Sequence, residues 1–143
     1  MYRQLNFGAK LPLVDRTKVV DIPNADYSKK LLIFDLDETL LHCKDSEVEN
    51  CMIRQPVTFS NGVTIIAGIN VRPYTKELLE YLKPHFDLIV FTASHHKYAN
   101  TMIDILDKDQ KIFKKRVFRD NCYKTTEGVL IKDLRIFCNS KRS

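Results

Sequence analysis

The stretch that decides the fold is KKLLIFDLDETLLH, from Lys29 to His42. Its apolar run from Leu31 to Leu36 predicts a buried strand. Asp35 interrupts that run, however, and Asp37 and Glu38 follow at its far end. Because neighbouring carboxylates repel each other, acids at the tip of a core strand indicate a functional site rather than a packing role.

Composition and charge exclude few classes of protein. The 143 residues suit one domain, and 44% apolar residues are enough for a core. No segment approaches the ~20 apolar residues of a membrane span. The net charge of +5 fits an anionic partner, but we interpret most of the basic run from Lys111 to Arg119 as a solvated face and predict no direct nucleic-acid binding. Four cysteines without a C-x-x-C pair indicate reduced thiols in an intracellular protein, nuclear or cytoplasmic.

The order of predicted elements indicates an α/β fold. After the strand LLIF, two β-rich runs separated by the turn Asn61-Gly62 predict a hairpin. A helix follows in YTKELLEYLK, with Leu78, Leu79 and Leu82 on one face and Pro84 after its end. The strand DLIVF, a second helix in YANTMIDIL, a short strand in KRVF and a second hairpin complete the order. Such βαβ crossovers predict a parallel sheet, Rossmann-like, with helices on its faces.

The same pattern sets the expected domain organisation. We assign residues 1–28, which contain prolines and scattered apolar groups, to an irregular leader. Residues 29–143 form the domain, and a small β-insert is expected at about 45–71.

Four polar side chains are expected at one edge of the sheet. Asp35, Asp37, Thr92 and Ser94 follow the carboxyl ends of their strands, where ligands bind in open α/β sheets. Asp35 and Asp37 are two residues apart, so both can point the same way. A hard cation such as Mg²⁺, which takes one or two carboxylates with water and phosphate oxygens, would relieve their repulsion.

That arrangement also suits phosphoryl transfer. One carboxylate can attack phosphorus to give an aspartyl-phosphate, and the second can protonate the leaving oxygen and then activate water. Thr39 and Leu40 disfavour an EF-hand loop, and the chain has neither a P-loop nor a dinucleotide fingerprint. The structural alternative, in which Glu38 and Thr39 only cap a helix, leaves Asp35 and Asp37 unexplained.

Several separate motifs carry a family resemblance. FDLDETLLH looks like the D-x-D-x-T signature of haloacid-dehalogenase-type (HAD) phosphatases. Together with VRPYTKELLEYL, FTASHHKYAN, VFRDNC and IKDL, it resembles the branch of small phosphatases that act on the C-terminal domain of RNA polymerase II and their Dullard-like relatives. The similarity extends from about Lys30 to Leu134.

The resemblance implies catalytic and metal-binding roles. Asp35 would be the nucleophile and a metal ligand, and Asp37 the general acid and base, with its main-chain carbonyl also directed at Mg²⁺. Thr39 would support the loop, and Thr92 would hydrogen-bond the phosphoryl group. Lys132 would neutralise phosphate charge and steady Asp35.

Substrate-binding roles are implied in the same way. Tyr98 matches an aromatic residue that lines the substrate groove, Arg119 matches an arginine that contacts the substrate phosphate, and Ser94 is assigned to the same group. The insert from Val57 to Val71 matches a β-insert that helps to select peptide substrates. The implied partner is a phosphorylated protein or peptide, such as the C-terminal domain of RNA polymerase II. Taken singly, Tyr98 could be boundary packing and Arg119 could pair with Asp120.

The sequence departs from the family after Leu134. In these phosphatases a further strand ends in an acidic or Asp-Asn pair that completes the Mg²⁺ ligands. Here no Asp or Glu follows Asp133, and Asn139 is the one candidate oxygen ligand. We therefore expect a truncated domain without its last core strand, whose metal would keep Asp35, a carbonyl and water.

Three hypotheses for the function follow. The leading one is a Mg²⁺-dependent phosphoserine/phosphothreonine protein phosphatase. The second is a catalytically inactive, HAD-like peptide-binding module, similar to an import receptor of the mitochondrial inner membrane, which the missing acidic motif favours. The third is a small-molecule phosphatase of the same superfamily, which the open β-insert disfavours because it leaves room for a bulky substrate.

Overall fold

The computed structural model describes residues 13–44 and 48–137. The start of the predicted leader, residues 45–47 of the predicted insert, and Asn139 lie outside the described residues. In chain order the strands are β1 (Lys30–Phe34), β2 (Leu41–Lys44), β3 (Ile53–Thr58), β4 (Thr64–Val71), β5 (Phe86–Phe91), β6 (Phe113–Val117), β7 (Tyr123–Lys124) and β8 (Leu130–Ile131), and the α-helices are α1 (Thr75–Leu82) and α2 (His96–Leu106).

A parallel sheet of order β1-β5-β6 forms the centre of the fold. The predicted α/β, Rossmann-like class is confirmed. Leu88 and Val90 of β5 belong to one hydrophobic core, and Ile89 and Phe91 to a second. This alternation is expected for a strand covered on both faces. The prediction of a fully buried first strand is wrong, because β1 pairs only with β5 among the described strands and stays partly exposed.

The β-insert is a three-stranded antiparallel sheet of order β2-β4-β3. The predicted hairpin is β3-β4, and Gly62 in its turn has a φ of +83°, which glycine adopts without strain. Strand β2 was not predicted, because LHCK lacks the apolar alternation of a typical strand. Since β2 begins four residues after Asp37 and pairs with β4, the insert is attached directly beside the acidic loop.

The two α-helices and the segment before β1 cover the parallel sheet. Leu79 of α1 is fully buried and Leu82 packs against the same core, but Leu78 is 47% exposed, so the prediction that all three share one face is wrong for Leu78. Adjacent helical residues point about 100° apart, and only one of Leu78 and Leu79 can face the sheet. Val20 and Ile22 are buried in the second core with Phe137, so residues of the predicted leader pack on the domain. None of the helices in residues 13–44 and 48–137 has the length and apolar character to cross a membrane.

Candidate active site

The loop after β1 sets the direction of the two aspartates. Leu36 is fully buried, whereas Asp35 and Asp37 on either side of it are partly exposed. The Leu36 carbonyl accepts a hydrogen bond from the N–H of Leu40 at 2.9 Å, which closes a tight turn. Glu38 in this turn has a φ of +61°, a strained value for a non-glycine residue. The buried leucine therefore turns both aspartates out of the core.

Asp35 is held by one of its two carboxylate oxygens. Oδ1 accepts the N–H of Leu36 at 2.8 Å and the ammonium of Lys132 at 2.7 Å. Lys132 comes from the segment that follows β8, so this ion pair joins distant parts of the chain. Oδ2 makes no hydrogen bond to any described residue, and the side chain is 42% exposed. One oxygen is thus fixed, and the other remains available.

Asp37 accepts three hydroxyl hydrogen bonds. Oδ2 accepts from Thr92 at 2.9 Å and from Ser94 at 2.8 Å, and Oδ1 accepts from the Tyr98 phenol at 2.9 Å. The Thr92 hydroxyl in turn accepts the N–H of Ser94 at 3.0 Å. Residues after β5 and on α2 therefore hold this carboxylate in a single orientation.

The phenol of Tyr98 keeps its proton and therefore remains a hydrogen-bond donor to Asp37. Burial raises the pKa of Tyr98 well above its usual value, and Asp37 and Cys43 raise it further. The ring stacks on Phe59 of the insert, with centroids 5.9 Å apart and planes at 23°. One side chain thus links the insert to the acidic loop.

A groove runs between the insert and the segment that leads from β5 into α2. Its volume is about 360 Å³, and it is lined by apolar and polar side chains that include Cys43, Phe59, Ile65, Ser94, Tyr98 and Arg119. Arg119 is fixed there because its Nε donates to the Ala93 carbonyl at 2.9 Å. The groove has room for an extended peptide segment beside Asp37.

The structure brings most of the predicted site residues together. Asp35 contacts Lys132, and Asp37 contacts Thr92, Ser94 and Tyr98. Arg119 borders the same groove as Ser94 and Tyr98. The hydroxyl of Thr39, by contrast, makes no hydrogen bond within the described residues, and Thr39 lines a separate hollow with Glu38 and His42. Thr39 contributes to the loop through its main chain.

The loop also offers oxygen ligands for a hard cation. The described part of the chain has no cluster of three or more His, Cys, Asp or Glu side chains arranged for a metal. Asp35 Oδ2 and the main-chain carbonyl of Asp37 accept no hydrogen bond within that part. One carboxylate and one carbonyl, completed by water and phosphate oxygens, are a set that suits Mg²⁺. These residues therefore fit the ion.

Comparison with known proteins identifies the family. Residues 30–143 match the NLI interacting factor-like phosphatases. The chain belongs to this family. The resemblance inferred from DLDET and the later motifs is thereby confirmed.

Relatives of this chain include several CTD small phosphatase-like proteins. CTD small phosphatase-like protein 3 of Caenorhabditis elegans is 33% identical over 140 residues, which cover 94% of this chain and 48% of the relative. CTD small phosphatase-like protein 1 of the same organism is 41% identical over 109 residues, which cover 76% of this chain and 22% of the relative. The human CTD small phosphatase-like protein is 32% identical over 132 residues, covering 84% and 47%. The chain thus spans about half or less of the length of these relatives.

Solved structures support the fold of this chain. A variant of the fission yeast RNA polymerase II CTD phosphatase Fcp1, bound to beryllium fluoride, superposes with a TM-score of 0.62. It is 22% identical and covers 79% of this chain and 35% of that chain. A second structure of Fcp1 gives the same TM-score and covers 80% and 36%. At this identity the likeness establishes the fold, which is the expected HAD-type α/β fold.

Sequence reasoning missed one residue that positions the acidic loop. The guanidinium of Arg72 donates from Nε to the Thr39 carbonyl at 2.5 Å and from Nη2 to the Glu38 carbonyl at 3.0 Å. Arg72 follows β4, and its own N–H donates to the Leu40 carbonyl at 3.0 Å. Only the pairing of β2 with β4 reveals this proximity, because Arg72 lies more than thirty residues from the loop.

Proposed function

We propose that this chain is an intracellular protein phosphatase, nuclear or cytoplasmic, that hydrolyses phosphoserine and phosphothreonine through an aspartyl-phosphate on Asp35. The observation that carries the proposal is the pair of differently held carboxylates at one rim. Lys132 fixes one oxygen of Asp35 at 2.7 Å, while three hydroxyls hold Asp37. Family membership and the names of the relatives support phosphatase chemistry on a phosphorylated protein.

In the first step Asp35 acts as the nucleophile. Oδ2, which no described residue occupies, attacks phosphorus in line with the ester oxygen of the substrate. The new bond joins Oδ2 to phosphorus, the ester bond breaks, and Asp37 in its protonated form gives its proton to the departing serine or threonine oxygen. Lys132 is placed to neutralise charge that develops on the phosphoryl oxygens.

In the second step water releases the phosphate. Asp37, now ionised, takes a proton from water, whose oxygen attacks phosphorus and restores the Asp35 carboxylate and inorganic phosphate. The three hydroxyl donors keep Asp37 in one orientation for both proton transfers. Thr92 and Ser94 each have one hydroxyl proton, which is donated to Asp37, so either hydroxyl would have to turn away from Asp37 to donate to a phosphoryl oxygen.

We propose Mg²⁺ as the cofactor, which the Asp35 carboxylate and the main-chain carbonyl of Asp37 would hold while Oδ2 stays free to attack phosphorus. A bound Mg²⁺ supplies positive charge that offsets the approach of an anionic phosphate to an anionic carboxylate. The groove beside the loop, with Phe59, Ile65 and Tyr98, suits a peptide chain that carries the phosphate. Names of the relatives and of the Fcp1 structures support the C-terminal domain of RNA polymerase II as a substrate.

A hydrolysis assay tests the proposal directly. We expect the purified chain to release phosphate from an aryl phosphate and from phosphoserine peptides when Mg²⁺ is present, and to lose this activity in a chelator. Acid-quenched samples should contain phosphate bound covalently to the chain. A folded sample that hydrolyses neither substrate with any divalent metal would refute the proposal.

One observation favours the alternative of a peptide-binding module. Both oxygens of Asp37 already accept hydroxyl hydrogen bonds, so a proton transfer from this side chain must compete with them. A phosphopeptide that binds in the groove without being hydrolysed would support this alternative. Calorimetric binding measured beside the hydrolysis assay separates the two functions.

Arg72→Ala is expected to lower kcat roughly tenfold, because a loop displaced by a fraction of an ångström misaligns the nucleophile. KM should change little, since the Arg72 guanidinium donates to the loop carbonyls of Glu38 and Thr39 and Arg72 is not among the described residues that line the groove. Steady-state kinetics with an aryl phosphate provide the measurement. Arg54→Ala, which removes an exposed arginine from β3, is the matched control and should leave kcat unchanged. An Arg72 variant with normal kcat would contradict this positioning role.

A further inference from the structure

A second cavity, which we term the basic cavity, adjoins the groove. Its volume is about 380 Å³, and its lining includes Lys18, Arg119, Asp120, Cys122, Lys124 and Leu130. Arg119 lines the groove as well, so the two cavities share one wall. The volume corresponds to roughly a dozen water molecules, which is enough for a phosphate group with part of its hydration shell.

Lys18 reaches the basic cavity because the segment before β1 is attached to the domain. Val20 is buried, and its N–H donates to the Ile136 carbonyl at 3.0 Å. The Lys18 ammonium donates to the Asp120 carbonyl, and the Asn121 side-chain amide donates to the Lys18 carbonyl at 3.3 Å. These bonds tie Lys18 to the short helix after β6, so its charge is held at the cavity.

The cations of the basic cavity keep donors available for a ligand. Arg119 uses its Nε on the Ala93 carbonyl, and its Nη groups make no hydrogen bond within the described residues. The Lys124 side chain is exposed and has no ion-pair partner in the same part of the chain. Lys18 uses one of its three ammonium donors. Three cations thus face a single carboxylate, that of Asp120.

Lys132 connects the positive charge around the basic cavity with Asp35. Burial raises the pKa of the Cys122 thiol, which lines the cavity. Lys132, Arg119 and Lys18 oppose that rise, in this order. Because Lys132 also holds Asp35, positive charge extends from the nucleophile into the basic cavity.

We infer that the basic cavity binds a second phosphomonoester group, carried by the same peptide whose phosphoserine or phosphothreonine occupies the active site. The inference rests on the proposed function and narrows its substrate to peptides with two phosphates. A phosphomonoester carries up to two charges and three strong acceptor oxygens, which match the fork of Arg119 and the ammonium groups of Lys18 and Lys124. A glutamate side chain, with one charge, gains less from the same donors.

Within the described part of the chain, Lys18 is the one lining residue of the basic cavity that lies outside the family match. The family match begins at residue 30, and Lys18 lies before it. The wall that Lys18 supplies therefore belongs to the part of the chain outside the match.

Binding measurements test the inference independently of turnover. The Asp35→Asn variant, which should not hydrolyse its ligand, is titrated with peptides that carry one phosphoserine, two phosphoserines at increasing separations, or one phosphoserine and one glutamate. At the separation that reaches both cavities, we expect the diphosphorylated peptide to bind roughly tenfold more tightly than the singly phosphorylated one. Adding Lys18→Gln and Lys124→Gln should abolish this gain.

Two further variants make the test specific. Lys124→Glu changes an exposed side chain, so it should fold normally and also remove the gain. Lys76→Gln with Lys108→Gln removes the same charge from exposed positions outside both cavities and should leave the gain intact. When the changes at Lys18 and Lys124 are made in the chain that retains Asp35, these variants should hydrolyse a small aryl phosphate at the normal rate.

Each outcome decides the matter. Equal binding of singly and doubly phosphorylated peptides at every separation, or a gain that survives the changes at Lys18 and Lys124, would overturn the inference. Lysine-dependent binding of inorganic phosphate, without any gain for diphosphorylated peptides, would overturn it as well, because the ligand would then be a free ion. Selective binding by a chain without phosphatase activity would uphold the cavity and refute the proposed function, whereas hydrolysis without selectivity would do the reverse.

Discussion

Asp35→Asn is expected to lower the hydrolysis of every phosphomonoester by roughly 10³-fold or more, because the amide cannot attack phosphorus. The effect should be equal for aryl phosphates and phosphopeptides, since both react at the same carboxylate oxygen. Covalent phosphate on the acid-quenched chain should disappear together with turnover. Steady-state kinetics and mass spectrometry of the quenched protein provide the two measurements.

The same variant should remain folded. Asparagine keeps an oxygen that can accept the Leu36 N–H, and the lost ion pair with Lys132 is partly exposed, so unfolding free energy should change by only about 0–1 kcal/mol. Asp109→Asn, which removes an exposed carboxylate 3.9 Å from Lys111, is the matched control and should leave turnover unaffected. If Asp35→Asn retained covalent phosphate, the nucleophile would have to lie elsewhere.

The parallel sheet was predictable because its signals are local. LIVF, from Leu88 to Phe91, is continuously apolar, and the spacing in α2 places Met102 and Leu106 on the buried face. Strand β2 escaped prediction because LHCK becomes a strand only through pairing with β4, which is distant in the chain. The exposure of Leu78 and of β1 could not be predicted either, since it depends on which neighbours cover each face.

In the candidate site, too, the contacts that follow from local sequence could be predicted and those that depend on tertiary packing could not. Asp37 follows the first strand and Thr92 and Ser94 follow β5, so the contact of Asp37 with these two hydroxyls could be predicted. That Tyr98 donates to Asp37 was not foreseen, because the contact depends on how α2 lies over the loop. The contacts of Arg72 and Lys18 depend in the same way on tertiary packing, which no local pattern encodes.

Asp37→Asn is expected to act differently on substrates with good and poor leaving groups. An amide cannot donate the proton that a serine alkoxide needs, so turnover of a phosphoserine peptide should fall by roughly 10²- to 10⁴-fold. An aryl oxide departs without a proton, and the first step with an aryl phosphate should stay fast. Since the second step still lacks its base, the aryl phosphate should give a burst of about one phenol per chain and then slow turnover.

The hydroxyl cluster around residue 37 makes this test clean. Hydroxyls both donate and accept, so Thr92, Ser94 and Tyr98 can rotate to bond an amide in place of the carboxylate. The side chain should therefore keep its orientation and lose only its proton chemistry. Tyr98→Phe, which removes one of the three donors and keeps the stacking on Phe59, is the control and should reduce the rates for both substrates by similar factors without a burst. An Asp37→Asn variant that slowed both substrates equally from the first turnover would indicate that Asp37 orients the loop rather than transfers protons.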